Sequence, residues 1–433
     1  MSSDHKSTWK TLLAGVAGAF SAPSFALFVD LTSAWVCATG RRTVTGMISV
    51  MDPATRGAHD AYHRFVRAGA WSADALFDAM ITAVVGVVDH FCPGGPLVCL
   101  LDDTLFHRPG RKVEGAGSFR DAVRSTHKRV VFARGLNLVV LAIRVNPPWG
   151  GQPIAIPVGV ALHRKGGPTT TELARQLMAG LAERLPGRRF VLCADGAYAT
   201  LAGDHLPRTH VVSRMRRDAA LFGPPPPPTG KRGRPRRKGE RLGTPAELAK
   251  AATGWKTAKL DWRGATVTKQ LWSRDVLWYR VCPDAMVRLV VVRDPTGVEP
   301  DDFFFTTDLN MTPAQVASIY ASRWPIEVIF RDVKQSVGGQ QPQTWKGEGP
   351  IRAASIAFWL HGAIWLSYLA GWDGTPTWPE REWYDAKAVP RFADAMAELR
   401  RNLWRERIST ASRAGNLDQE TTDLLVETLA MAA

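Results

Sequence analysis

Apolar side chains recur at helical spacing through the first 95 positions, most clearly in "HDAYHRFVRAGAWSADALFDAMITAVVGVVDHF", and no strand alternation interrupts them. The pattern predicts a helical N-terminal region that stands as a module of its own. From residue 97 the texture changes to short runs rich in β-branched residues, "LVCLLDDTLF", "GLNLVVLAIRV" and "PIAIPVGVAL". A helical "TTELARQLMAGLAERL" and a further run, "RRFVLCADGAYA", follow. Three strands, a helix and a fourth strand predict a mixed α/β sheet, and "THVVSRMR" adds another strand. In "GPPPPPTGKRGRPRRKGER" five prolines and a basic run forbid regular structure and mark a loop or insertion. Strand patterns return over 255–293. "DDFFFTTDL" then leads through Thr312, a plausible N-cap, and Pro313, a first helical position, into one helix over "YASRWPIEVIFRDVK", which Pro325 can kink by removing one backbone hydrogen bond and which should stop near Val337. Beyond residue 350 the chain is again helical and rich in Trp. These changes divide it into 1–95, helical; 96–215, first part of the sheet domain; 216–285, basic loop and strand-rich insertion; 286–372, remainder of the sheet domain; and 373–433, helical.

Composition narrows the picture. Of 433 residues 45% are apolar, enough for a real core. Lys and Arg number 55 against 40 Asp and Glu, a net charge of +15, so the expected large partner is a polyanion. The five cysteines are odd in number and never arranged as CxxC, which argues for a reducing compartment and against a zinc module or disulfide scaffold. His59 and His63 are spaced to share a helix face, but no Glu-containing zinc motif surrounds them, and they read as a solvated or capping pair. "TLLAGVAGAFSAPSFALF" imitates a targeting signal, yet Pro23, Asp30 and the continuing helical pattern count against one. "ASIAFWLHGAIWLSYLAGW", interrupted by His361, reads as a buried helix. The expectation is a cytoplasmic protein with no membrane partner.

The candidate chemistry lies at strand ends and on one helix face. Asp102 and Asp103 close "LVCLLDDT" and Asp195 closes "FVLCADG". Taken singly, each reads as a strand-end turn residue. On a single continuous helix Tyr320, Arg323, Glu327 and Lys334 fall within an arc of roughly 60°, beside an apolar arc of Ile319, Ile326, Ile329, Val333 and Val337. An ordinary i,i+4 ion pair between Arg323 and Glu327 would explain part of that arc. Carboxylates from neighbouring strand ends joined by one from a packed helix are also what two divalent cations require for in-line displacement at phosphorus.

The spacing Y-x2-R-x3-E-x6-K, filled by Tyr320, Arg323, Glu327 and Lys334 and preceded by Asp102-x-Thr104 and Asp195, resembles the signature of bacterial insertion-sequence DDE transposases. "DDTLFHRPGRKVEGAG" and the basic proline-rich loop resemble one subgroup of them. The resemblance implies a ribonuclease-H-like mixed sheet flanked by helices, with a strand-rich insertion and helical N- and C-terminal regions. It implies that Asp102, Asp195 and Glu327 bind two Mg²⁺ ions, Mn²⁺ substituting. Asp103 competes with Asp102; the Asp-x-Thr spacing favours Asp102. Tyr320, Arg323 and Lys334 would hold DNA phosphates. Similar enzymes receive a flipped base on an aromatic of the insertion; Trp255, Trp262, Trp272 and Trp278 are candidates, with packing as the alternative role of each.

Lys231, Arg232, Arg234, Arg236, Arg237 and Lys238 form a further candidate DNA contact. "RGRPR" resembles an AT-hook core, and a solvated linker is the alternative. "GRRTVTGMI" is a possible basic turn with which the N-terminal helices would read terminal repeats, although no helix-turn-helix pattern accompanies it. The implied function is a cut-and-paste transposase, associated with the nucleoid and acting as a homodimer on double-stranded transposon ends and target DNA. Alternatives are a domesticated metal-dependent endonuclease or a catalytically inactive DNA-binding protein on the same fold. Duplex affinity should fall steeply with salt, with a log–log slope of about −0.9 for each phosphate neutralised; a flat anisotropy titration between low and physiological salt would contradict this reading.

Overall fold

The β-branched runs assemble side by side into one large mixed sheet, seen in a computed structural model that describes residues 3–91, 93–126, 128–227, 236–262, 265–379, 387–412 and 418–432. Its first part comprises β1 (Leu97–His107), β2 (Gly117–Arg120), β3 (Phe132–Val145), β4 (Ile154–His163), β5 (Phe190–Ala194) and β6 (Thr209–Arg214). β1 pairs antiparallel with β3 and parallel with β5, and β5 pairs parallel with β6. β4 and the short β2 share the far edge of β3. The order β4-β3-β1-β5-β6 is a ribonuclease-H-like core. Leu136 to Ile143 of β3 are all buried, with Asn137 the one polar side chain among them, the near-continuous apolar run of a strand covered on both faces.

Downstream, β7 (Leu221–Phe222) and β8 (Arg241–Gly243) form a small separate sheet. The strands β9 (Lys256–Trp262), β10 (Ala265–Val276), β11 (Val287–Arg293) and β12 (Asp302–Thr306) do not: β12 pairs antiparallel with β6, and the sheet runs on as β6-β12-β11-β10-β9. The strand-rich segment after the basic loop thus widens the main sheet. β2, four residues in a turn-rich stretch, has no alternating apolar signal and is invisible to the sequence pattern.

The N-terminal helices are α1 (Ser3–Gly15), α2 (Ala22–Cys37), α3 (Val44–Ile48), α4 (His59–Ala68) and α5 (Ala73–Phe91). Then come α6 (Thr170–Arg184), between β4 and β5, and α7 (Pro245–Ala251). α8 (Pro313–Ala321) and α9 (Pro325–Gln335) follow the sheet, and α10 (Gly349–Ala370), α11 (Phe392–Ser412) and α12 (Gln419–Met431) complete the chain's helices among the described residues. Thr312 caps α8 as its composition suggests, in a reciprocal capping box with Gln315.

α10 is apolar on every side and must be covered on every side. By length and composition it could cross a membrane, but 89% of its most apolar stretch is buried inside the protein. Phe358 stacks on Phe106 of β1 at 5.6 Å, while Trp359 meets Trp9 of α1 at 6.1 Å and Phe28 of α2 at 5.2 Å. Trp35 Nε1 donates to Val337 O at 2.7 Å. The helices of residues 1–95, expected as a module of their own, therefore share one core with the sheet and α10. Helical periodicity shows which face is apolar but not what covers it.

Trp359→Ala should cost about 3–5 kcal/mol, the usual loss for truncating a buried tryptophan. It should lower the urea midpoint for helix and sheet signals together; a transition that splits into separate N-terminal and sheet phases would contradict the shared core.

Candidate active site

β5 stops at Ala194, opposite Leu101 of the parallel β1, whereas β1 runs on to His107. The residues after that last pair, Asp102 and Asp103 on one strand and Asp195 on the other, consequently meet at the same edge. Asp195 leaves its strand to cap a short 3-10 helix, Gly196–Gly203, accepting from Ala197 N at 2.7 Å.

Successive strand residues point to opposite faces, and the two adjacent aspartates separate accordingly. Asp102 accepts from Arg323 Nη1 at 2.7 Å, and the other arm of the same guanidinium, Nη2, donates to Glu327 Oε1 at 2.6 Å. Arg323 thus clamps the sheet carboxylate to the helix carboxylate. Asp103 instead accepts from the Tyr198 hydroxyl at 2.8 Å and from Asn137 on β3.

Burial pushes the Asp102 carboxyl up to about 7, against the pull of Arg323 and with help from the charges of Asp195 and Asp103. Burial also raises Asp103, opposed by the hydrogen bonds from Tyr198 and Asn137. The Tyr198 phenol is raised by burial and by the adjacent Asp103. For Arg323 burial works against the charge, but Asp102 foremost, with Tyr320 and Glu327, holds the guanidinium protonated.

The helix that carries these groups differs from the sequence expectation. A single helix over 320–334 is replaced by two, because Pro325 has no N–H and its ring would clash with the carbonyl of Ala321. α8 ends at Ala321 and α9 starts at Pro325. Tyr320 therefore belongs to α8, Arg323 to the connecting turn, and Glu327 and Lys334 to α9, so the single helical wheel does not describe the four. Tyr320 stacks on Phe304 of β12 at 4.3 Å, and burial pushes its phenol up to about 12. Its ring centroid lies 5.9 Å from Arg323 Cζ. Lys334 is two turns beyond Glu327, roughly 10 Å along the axis. Burial lowers its ammonium, opposed by the charge of Asp121. The buried Asp121 accepts from the backbone of Val123 and Arg124 and bonds His107 Nε2 at 2.8 Å.

Of the basic loop, Lys231, Arg232 and Arg234 lie outside the described residues. Arg236 is exposed, Arg237 pairs with Asp284 at 2.7 Å, and Lys238 sits 4.4 Å from the Phe222 ring centroid. Among the candidate tryptophans, Trp262 and Trp278 are buried, Trp255 lies under the Arg293 guanidinium at 3.9 Å, and Trp272 is half-buried. Trp262 also lines a cavity of about 160 Å³ with Phe304, Tyr320, Trp324 and Glu327. Tyr198, Asp121 and Trp324 had no place in the sequence reading. Only Tyr198 left a usable signal, three residues past a candidate aspartate.

Among the described residues no three His, Cys, Asp or Glu side chains stand ready to hold a metal ion, and the rings of His59 and His63, 4.7 Å apart, have no third ligand. Between Asp102 and Glu327 the positive charge is supplied by Arg323. The donor chemistry nevertheless fits a hard divalent cation: desolvated carboxylate oxygens with more negative charge than one guanidinium neutralises.

The mixed sheet with its helical flanks defines a ribonuclease-H-like DDE fold. A family model described as DDE superfamily endonuclease matches residues 24–274, more than half of the chain, and the chain belongs to that family. Another, described as archaeal putative transposase ISC1217, matches residues 278–344. No curated protein matches the chain. DDE superfamily endonucleases generally use divalent metals and act on DNA, so the coarse function is that of a transposase-like nuclease.

Asp102 has a folded value above its unfolded 3.8, so the stability its neutral carboxyl contributes is complete below that pH and is lost as pH rises through about 7. In chelator, the thermal midpoint of the wild type should fall further than that of Asp102→Asn over this window. Parallel pH profiles would place the titration on another group.

Proposed function

We propose that this protein is a cut-and-paste DNA transposase in which Asp102, Asp195 and Glu327 hold two divalent cations, Mg²⁺ with Mn²⁺ as a substitute. The observation that carries the reading is the clamp of Arg323 on Asp102 and Glu327 beside Asp195, in a chain of the DDE endonuclease family. Two such ions, when bound, would activate a water or DNA 3′-hydroxyl and stabilise the leaving oxygen. Asp102 is favoured over Asp103 as the first ligand because it shares a partner with Glu327, while Asp103 is engaged by Tyr198.

The remaining roles follow from side-chain chemistry. Arg323 has the planar fork to bind a phosphate bidentately in place of one of its carboxylates. Tyr320 offers a hydroxyl next to it. Lys334, two turns away on α9, would hold a more distant backbone phosphate as a point charge, with Asp121 favouring its charged form. Arg236, Arg237 and Lys238, with Lys231, Arg232 and Arg234, would add phosphate contacts from the loop. Trp262 shares a cavity with Glu327 and is the favoured platform for an extruded base. Coordinated cutting of two ends makes a homodimer on DNA the simplest assembly, at the nucleoid in the cytoplasm.

Glu327→Gln and Asp195→Ala should each lower Mg²⁺-dependent cleavage of repeat-flanked DNA by more than the roughly 100-fold typical of losing an outer-shell partner, with duplex binding retained. Glu327→Gln cutting at the wild-type rate would remove that residue from the proposed metal site. Joining of cut ends to a target plasmid supports transposition; cleavage without joining would instead make this a metal-dependent endonuclease.

A further inference from the structure

The basic turn "GRRTVTGMI" sends its two arginines in opposite directions. Arg41 is exposed, whereas Arg42 is 5% exposed and lines a cavity of about 270 Å³ with Ser336, Trp378, Met396, Arg400 and Ala430. Arg400, on α11, is also 5% exposed. Two guanidinium groups from distant parts of the chain therefore line one small, half-open cavity.

Neither has a carboxylate partner among the described residues. Arg400 donates from Nε to Val36 O and from Nη1 to Ala432 O, both at 2.7 Å, and leaves Nη2 buried without an acceptor. Arg42 uses its backbone N–H to reach Gln341, and its buried Nε has no acceptor. The acids nearby are committed elsewhere. Asp394, which also lines the cavity, accepts from Lys387 and from Arg391 N, and Glu398 and Glu427 accept from Arg401. Cys37, the other titratable group against Arg400, is a neutral thiol that burial pushes up to about 11. Burial lowers both guanidinium groups, and for Arg400 the charge of Arg42 adds to the effect.

Two desolvated cations without a counter-charge are costly, and buried charges in proteins are ordinarily paired. We propose that this cavity is a binding site for a phosphate group, held between Arg42 and Arg400. A guanidinium pair supplies several N–H donors whose fork geometry matches tetrahedral phosphate oxygens, and the cavity exceeds the size of a halide. Its wall includes Gln335 and Ser336, at the end of the helix that carries Glu327, so an occupant would also touch the last turn of α9. The phosphate group could come from the free anion or from a DNA backbone.

The test uses full-length protein in chelator, with inorganic phosphate titrated against chloride of equal ionic strength and thermal midpoints as the readout. The wild type should gain a saturable stabilisation from phosphate alone. Arg42→Met should start from a higher midpoint without phosphate, because an unpaired buried charge is gone, and should show no phosphate response. Arg42→Lys keeps the charge but not the fork and should require about tenfold more phosphate; it serves as the decisive variant if Arg42→Met does not fold. A wild type that responds no more to phosphate than to chloride overturns the proposal, as does a response unchanged in the variants.

Anisotropy with a labelled duplex separates the two sources. If duplex abolishes the phosphate response and Arg42→Lys weakens duplex affinity, the group is a backbone phosphate. If the response persists on duplex-bound protein and affinity is unchanged, it is the free anion. Neither arm depends on cleavage, so the result stands apart from the proposed reaction.

Discussion

The guanidinium of Arg323 lies between a carboxylate on the sheet and a carboxylate on a helix, and this contact fixes how α9 meets β1. Asp102, Asp103 and Asp195 crowd one sheet edge, where like charges in a partly desolvated setting repel and drive protons onto one another. One planar cation can donate to two carboxylates at once, here Asp102 from one arm and Glu327 from the other. A lysine could not, since a single ammonium point charge lacks the two-armed geometry. The break at Pro325 is part of the same arrangement. It places Arg323 in a turn, outside any helical ladder, from which its side chain reaches back to the strand.

That contact depends on packing well away from it. Ile326, Ile329, Phe330 and Val333 form the buried face of α9, and Phe330 meets Phe358 of α10 edge-on at 6.3 Å. Phe358 in turn stacks on Phe106, four residues beyond Asp102 on the same strand. One aromatic on α10 therefore touches both the strand and the helix that supply carboxylates. The N-terminal helices close the other side of α10 through Trp9 and Phe28. Positioning of the candidate site is thus shared by the first 40 residues and the last third of the chain, although neither contributes a candidate carboxylate apart from Glu327.

Much of this was legible in sequence because it is local. The β-branched runs gave the mixed sheet, Thr312 and Pro313 gave the start of α8, and the strand-end positions of Asp102, Asp103 and Asp195 could be read from where apolar runs stop. Pro325 showed where a helix could be interrupted, but not that α8 and α9 would be two helices with Arg323 between them. Partnership was not legible. That Tyr198 would hold Asp103, that Asp121 would lie near Lys334, or that β9 to β12 would extend the main sheet all depend on chain segments distant in sequence. The wheel that grouped Tyr320, Arg323, Glu327 and Lys334 assumed one continuous helix, and a two-turn offset leaves Lys334 beside Asp121 rather than beside the clamp.

The same reasoning about buried cations distinguishes the arginines of this chain. Arg42, Arg108, Arg352 and Arg400 are the buried ones among the described residues. Arg108 is met by the carbonyls of Gln340, Pro342 and Thr344, and ties the chain after α9 to the end of β1. Arg352 donates to Trp71 O at 2.6 Å and lies over the Trp71 ring. Arg400 has two carbonyls. These contacts give partial charges in exchange for lost water, but Arg400 keeps one arm, Nη2, buried without an acceptor. Arg42 has no such side-chain contact, and it shares its cavity with Arg400 and with an Asp394 already paired with Lys387. Among the four buried arginines of the described residues, Arg42 is the one whose guanidinium meets neither carbonyl nor carboxylate, in a cavity large enough for the anion that would complete it.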